Sequence, residues 1–126
     1  MSKAVLNAVK KGMAAIGLNY EYQEWTADPV YPYFTGEYQE FEPLNEDGMQ
    51  ETSFILTGFT RGSYSDLEAA REKIEKKFNP ISGYKVSTDD SVVAIFYALA
   101  LSNVPTGDAE LKKIQINLTI KEWKVI

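Results

Sequence analysis

Residues Lys113–Lys121, KIQINLTIK, alternate an apolar with a polar side chain at every position. Successive side chains of a β-strand point to opposite faces, so this pattern predicts a strand that is buried on one face only. The apolar run Ser91–Leu101 precedes it across a turn-forming loop at Asn103–Asp108. By itself the run fits either a buried strand or a buried helix. Because the alternating strand needs a partner, we expect Ser91–Leu101 to be that strand.

Two segments have the spacing of amphipathic helices. In the first, Ser2 is a suitable N-terminal cap, and Gly17 suits the left-handed residue that ends a helix. In the second, Ser65–Phe78, we expect Ser65 and Glu68 to form a capping box. The apolar positions that set the spacing are Val5, Leu6, Val9, Met13 and Ile16 in the first helix, and Leu67, Ala70, Ile74 and Phe78 in the second.

A β-hairpin is predicted between the two helices. Pro29 and Pro32 exclude a helix where they lie and restrict any strand there to an edge or a strand start. The segments Glu37–Glu42 and Thr52–Thr60 are then expected to pair, with the second in a central position because both of its faces are rich in apolar residues. A short strand is also expected at Tyr84–Val86. These elements predict a single α+β domain over residues 1–126, with two helices packed on one face of a four- to five-stranded, mostly antiparallel sheet.

The composition excludes several kinds of chemistry. The 126 residues contain no cysteine and no histidine. Disulfides, thiolate nucleophiles, Cys/His zinc sites and imidazole-dependent catalysis are therefore excluded. No glycine-rich phosphate loop occurs either. We predict a non-enzymatic protein with no cofactor and no metal site.

The charges are divided along the chain. The net charge is −5, which disfavours nucleic acid as the main ligand because phosphate binding needs clustered Lys and Arg. No Lys or Arg occurs between Gly12 and Thr60, and no apolar run is long enough to span a membrane. We therefore expect a soluble intracellular protein. The separated charges are consistent with docking onto a complementary surface or a neighbouring copy, or with a solvated acidic face that only keeps the protein soluble. The acids in the base-free stretch are Glu21, Glu24, Asp28, Glu37, Glu40, Glu42, Glu46, Asp47 and Glu51.

A tyrosine-rich block lies inside the acidic stretch. Tyr and Trp provide large contact areas with few rotatable bonds and are enriched at protein interfaces. The block is consistent with rings that close the core at a sheet edge, or with a subunit interface. The eight aromatic residues of the block, out of sixteen in the chain (8 Tyr, 6 Phe, 2 Trp), are Tyr20, Tyr22, Trp25, Tyr31, Tyr33, Phe34, Tyr38 and Phe41.

A sugar-binding groove is an alternative use of the same block. Aromatic rings stack on sugars, and a glycosidase-like carboxylate pair could be drawn from Glu21 or Glu24 with Glu40 or Glu42. The sequence does not determine the distance between the two carboxylates, which a glycosidase mechanism requires to be defined. The alternative that stays open is therefore a monomeric glycan-binding module rather than an enzyme.

The order of the elements resembles that of phage tail-terminator (tail-completion, minor tail) proteins. The resemblance spans most of the chain: an N-terminal amphipathic helix, Asp28–Phe34, an acidic hairpin, Glu51–Leu56, the helix Ser65–Phe78, and the closing pair Ser91–Leu101 and Leu111–Val125. It implies a non-enzymatic virion assembly protein of a phage or prophage, which forms a hexameric ring on the end of the tail tube and enables head–tail joining. The implied partners are further copies of the chain, the tail tube protein and head–tail connector proteins, and the implied site of assembly is the cytoplasm of the bacterial host. Head–tail connectors and other minor structural proteins share much of this description.

The family has no catalytic residues, so the candidate interface comes from the placement of charge and aromatic rings. Acidic and aromatic side chains of one copy are expected to meet basic side chains of the next in a head-to-tail contact, which can close into a ring. The candidate residues are Tyr31, Tyr33, Phe34, Glu37 and Glu40 on the acidic side, and Arg61, Lys112 and Lys113 on the basic side.

Overall fold

A computed structural model describes residues 3–23, 30–40, 49–88, 91–102 and 104–124. The elements are α1 (Lys3–Ala15), β1 (Asn19–Tyr22), β2 (Tyr33–Glu40), β3 (Met49–Thr60), α2 (Tyr64–Lys77), β4 (Tyr84–Ser87), β5 (Ser91–Leu101) and β6 (Lys112–Lys124).

The strands form one sheet in the order β1-β2-β3-β6-β5-β4. The β1–β2 pair is parallel and the other four pairs are antiparallel, so the expectation of a mostly antiparallel sheet is confirmed. The expected partnership of β5 with β6 and the central position of β3 are also confirmed. The sheet has six strands where four to five were expected. The strand that the sequence did not predict is β1, which has only four residues and follows α1 directly, so its sequence is too short to show a strand period.

Both helices pack on the same face of the sheet. The strand residues of the core alternate with residues of the opposite face, and β6 shows the alternation that its sequence predicts. The core comprises Val5, Ala8, Val9 and Met13 of α1, Leu67, Ala70 and Ile74 of α2, Phe78, and the strand residues Phe34, Phe54, Leu56, Val93, Ile95, Ile114, Ile116, Leu118 and Ile120. Burial of this continuous apolar layer is the main stabilising contribution to the fold.

α1 ends as its sequence predicts. Gly17 has a left-handed backbone, with φ +73°. The N–H of Gly17 donates to the carbonyl of Ala14 (3.0 Å) and the N–H of Leu18 donates to that of Met13 (3.1 Å), which satisfies carbonyls that the helix end would otherwise leave unpaired. Ser2, the expected cap at the other end, lies outside the described residues.

α2 begins two residues earlier than the capping-box prediction. Its N-cap is Ser63, and the Asp66 carboxylate accepts a hydrogen bond from the Ser63 N–H at 3.3 Å. The expected pair, Ser65 and Glu68, is therefore wrong. Both residues lie inside the helix, where the Glu68 carboxylate instead accepts a hydrogen bond from Arg71 Nε at 2.9 Å. Asp66, whose side chain is shorter than that of a glutamate, makes the contact back to the N-cap backbone that was expected of Glu68.

Phenylalanine rings cover glycines on the neighbouring strand where β2 and β3 pair. Phe34 lies opposite Gly58, and a Cβ at Gly58 would collide with the Phe34 ring. A Cβ at Gly36 would come within 2.5 Å of the Phe54 ring. Gly36 and Gly58 are required because the Phe54 and Phe34 rings fill the space that a side chain at each position would occupy. The two strands therefore pack closely on the helix side of the sheet.

Among the described residues, no helix combines the length and the apolar character that crossing a membrane requires.

Candidate functional site

Neither α1 nor α2 covers the second face of the sheet, and no other helix occurs in the described residues. We call this second face the helix-free face, and it consists of every second strand residue. Its members are Asn19 and Glu21 of β1, Tyr33, Thr35, Glu37 and Gln39 of β2, Met49, Glu51, Ser53, Ile55, Thr57 and Phe59 of β3, Lys113, Gln115, Asn117, Thr119, Lys121 and Trp123 of β6, Val92, Ala94, Phe96, Leu99 and Leu101 of β5, and Lys85 and Ser87 of β4.

The charges on this face are separated by strand. β1, β2 and β3 contain acids and no base, and their carboxylates on the helix-free face include those of Glu21, Glu37 and Glu51. β6 and β4 carry the bases Lys113, Lys121 and Lys85, and β5 has no charged residue. The only acid in β4–β6 is Glu122, which is buried on the other face. The charge division along the sequence thus becomes an acidic half and a basic half of one surface.

An aromatic cluster lies at one end of the helix-free face. The ring of Tyr33 stacks on that of Phe59 with centroids 5.2 Å apart, and Tyr31 packs on Tyr33 with centroids 5.5 Å apart. Lys113 lies on the other side, with its Nζ 5.8 Å from the centroid of the Phe59 ring. Tyr33, Phe59 and Lys113 are directly cross-strand neighbours in register, which explains why they meet. Three residues of the expected interface therefore form one patch.

Arg61 joins this cluster from the end of β3. Its guanidinium bonds to Asp108 at 3.1 Å, and hydrogen bonds with the Tyr31 side chain and then with Asp108 raise the pKa of Arg61. The pKa of Asp108 is lowered, first by the backbone N–H of Glu110 and then by Arg61. Burial, followed by the neighbouring Tyr31, raises the pKa of Tyr33. The basic Arg61 and the aromatic Tyr31 were expected to meet between copies, but they meet within one chain.

The other expected interface residues do not share one patch. Glu37 is exposed on the acidic half of the helix-free face. Glu40 ends β2, and its side chain lies outside what the structure describes. Lys112 points to the opposite side of β6, with its Nζ 5.8 Å from the Tyr64 ring centroid. Phe34 is fully buried in the core beneath α1 and α2, so it offers no surface to a partner and leaves the candidate set.

The sequence reasoning missed several exposed apolar side chains. Leu99 and Leu101 in the C-terminal half of β5 are 48% and 55% exposed. Tyr22 and Tyr38 of the tyrosine-rich block, by contrast, were named from the sequence, and their rings stack with centroids 6.3 Å apart. The apolar character of Ser91–Leu101 was taken to mean burial on both faces. The signal of exposure is the length of the run, because its 11 residues extend beyond the four residues of its outer partner β4.

The described residues do not gather the groups that a metal or an acid–base pair would need. No cluster of three or more Asp or Glu side chains suited to a metal ion occurs in the described ranges. Of the carboxylates considered for a glycosidase-like pair, Glu24 and Glu42 lie outside the described residues, as does Trp25. Glu21, the remaining one with a described side chain, is exposed at the sheet edge.

Comparison with known proteins gives a structural match. No protein-family model and no curated protein matches this sequence. Among solved structures, the chain is similar to a chain in the virion of a native gene transfer agent (GTA) particle, with a TM-score of 0.66 and 12% sequence identity. The match covers 94% of this chain and 91% of the other. At this identity it establishes a shared fold, so this chain has the fold of a GTA virion component.

Proposed function

We propose that this chain is a non-enzymatic structural subunit of a tailed phage, prophage or related particle, and that it forms a ring on the end of the tail tube. There it stops tube polymerisation and presents a surface for joining the capsid. The observation that carries the proposal is the division of the helix-free face into an acidic and a basic half. The shared fold with a GTA virion chain and the resemblance to tail terminators support the same role.

The charge division is suited to a head-to-tail contact. In a two-fold dimer the same patch meets itself, which would place Glu37 near Glu37 or Lys85 near Lys85 if the acidic or the basic half were used. A head-to-tail contact instead brings the acidic half of one copy beside the basic half of the next. If the rotation that relates one copy to the next returns to the first copy, head-to-tail contacts form a closed ring. We propose that this ring has six copies.

The proposed role requires no cofactor. The ring would bind the tail tube protein on one side and head–tail connector proteins on the other, and it would assemble in the cytoplasm of the bacterial host. Such a subunit acts by occupying a tube end, so its working surface is large and mostly preformed. The mixed polar and apolar helix-free face has the composition of such a surface.

Particles produced with and without this chain test the proposal. Negative-stain electron microscopy is expected to show tail tubes of uncontrolled length when the chain is absent, because nothing stops tube growth. An antibody against the chain is expected to label one end of normal tails. The matched control is a strain in which the deleted gene is restored in trans, which should recover tails of one length.

Two outcomes would contradict the terminator role. Tails of normal length that remain detached from heads would assign the chain to a connector role instead. Normal, head-attached particles that lack the antibody label would show that the chain is not a component of the virion.

A further inference from the structure

One edge of β5 is open along its C-terminal half. β4 pairs with β5 only at Val92–Ile95, and the next outward bond is from the Tyr97 N–H to the carbonyl of Phe78 at 2.7 Å. Beyond Tyr97, β5 continues to Leu101 and pairs with β6 on its inner side. Within the part of the chain that the structure describes, no strand pairs with residues 98–101 on the outer side. Unpaired backbone groups of this kind are a template for another strand.

The open segment lacks the features that normally protect a sheet edge. Edge strands are commonly blocked by Lys, Pro or inward-pointing charges. Ser91–Leu101 contains neither charge nor proline. Leu99 and Leu101 point to the helix-free face and are 48% and 55% exposed, so the segment combines open backbone with exposed aliphatic side chains. Such an edge is suited to being covered by a partner strand in the working assembly.

The opposite edge of the same sheet supplies a complementary strand. β1 is the outermost strand there, and in the described residues it pairs with β2 alone. Glu21 of β1 belongs to the acidic half of the helix-free face, while Lys113 of β6 lies on the same face two residues beyond Gln115, which pairs with Leu101. Joining the two edges therefore brings opposite charges together on one continuous face.

Strand direction is also compatible. The pairings make β1, β2, β6 and β4 run one way and β3 and β5 the other. A rotation about an axis parallel to the strands keeps these directions in every copy. β1 of one copy would then run antiparallel to β5 of the next, the pairing that is slightly more stable per residue.

We propose that β1 of one copy adds to the open edge of β5, at residues 98–101, in the next copy. The partner is a second copy of this chain, and the proposal rests on the ring described under the proposed function, for which it names the contact. The sheet then continues from copy to copy, and closure of the ring covers the open edge in every subunit.

Disulfide trapping tests the contact, because the chain has no native cysteine. One preparation carries Glu21→Cys, and a second carries Leu99→Cys or Leu101→Cys. These positions are exposed, so the substitutions leave the core intact. Directly paired strands place their Cα atoms about 4.5–5.5 Å apart, within the range of a disulfide. After mixing and mild oxidation, we expect a covalent dimer of the two preparations on a non-reducing gel. A mixture of Glu21→Cys with Ala69→Cys, exposed on α2, is the matched control and should remain monomeric.

The outcomes are distinct. A mixed dimer with Leu99→Cys or Leu101→Cys, and none with Ala69→Cys, supports the edge pairing. Covalent dimers of Leu99→Cys with itself would overturn it, because they report a symmetric β5–β5 contact. Absence of the mixed dimer also overturns it. If closed oligomers form without the mixed dimer, the edge pairing fails while the ring stands, so the two proposals fail separately.

Discussion

Glu51 and Lys121 lie directly opposite each other on β3 and β6, on the face of the sheet that no helix covers. They mark the boundary between the acidic strands β1–β3 and the basic strands β6 and β4. The register places an acid of one half beside a base of the other half at this boundary, and the remaining charges of the face lie further from it. Glu37 on one half and Lys85 on the other are both exposed.

Reversal of one exposed acid is expected to weaken self-association. Glu37→Lys places a base on the acidic half, so the neighbouring copy's lysines are repelled instead of attracted. We expect an increase in the dissociation constant on the order of tenfold, equivalent to about 1.4 kcal/mol. Sedimentation velocity at low and moderate salt measures it, and salt should reduce the difference by screening. Glu72→Lys on the exposed side of α2 is the control and should associate like the wild type. Equal association of the Glu37 and Glu72 variants would contradict the account.

A methyl group at Gly58 is expected to destabilise the fold. The Cβ of Gly58→Ala would collide with the Phe34 ring, which is fully buried in the core. Overpacking of this kind costs about 1–3 kcal/mol. Urea denaturation measures the free energy of unfolding, and Ser53→Ala on the other face of the same strand is the control. A loss below about 0.5 kcal/mol, the size of an ordinary surface substitution, would show that the ring relocates freely.

Removal of the Tyr20 hydroxyl is expected to stabilise the chain. Tyr20 Oη is buried and has no hydrogen-bond partner in the described part of the structure. A buried polar group without a partner costs about 1–3 kcal/mol, so Tyr20→Phe should raise the free energy of unfolding by about 1 kcal/mol. Thermal and urea denaturation provide the measurement, with Tyr38→Phe as the comparison: it loses a hydroxyl that hydrogen-bonds to Tyr22, so it should not be stabilised. A destabilised Tyr20→Phe protein would mean that the hydroxyl is satisfied.

The raised pKa of Tyr20 predicts a loss of stability at high pH. Burial, and then the neighbouring Tyr22, raise the pKa of Tyr20 above the ordinary tyrosine value of about 10. Its neutral form is therefore favoured in the folded state. This contribution is fully present below pH ~10 and is lost as the pH rises through the folded-state pKa. The free energy of unfolding should fall more between pH 8 and pH 11 in the wild type than in Tyr20→Phe. An equal fall in both proteins would assign the alkaline loss to other groups.

The sequence predicted the elements with strong periodicity and missed those defined by tertiary contact. The strict alternation of Lys113–Lys121 predicted a half-buried strand, and its need for a partner resolved Ser91–Leu101. β1 was missed because four residues carry too little pattern. The start of α2 was misplaced because Ser63 and Ser65 are both suitable N-caps by sequence. Only the backbone conformation shows that Ser63 is the cap.

The candidate interface was predictable in its charge but not in its geometry. The base-free stretch from Gly12 to Thr60 predicted separated charges, and the sheet order turns that separation into two halves of a face. Phe34 and Tyr33 are adjacent in sequence and equally aromatic, yet a strand places them on opposite faces, one in the core and one on the surface. The open edge at residues 98–101 depends on how far β4 extends along β5, which no local pattern encodes.

Native mass spectrometry over a range of protein concentrations, at low and moderate salt, tests the central claim most directly. The account predicts one discrete closed oligomer, six copies, whose population grows with concentration and falls as salt screens the complementary halves. A chain that stays monomeric at every concentration and salt, or that forms a ladder of sizes with no preferred closed state, would contradict it.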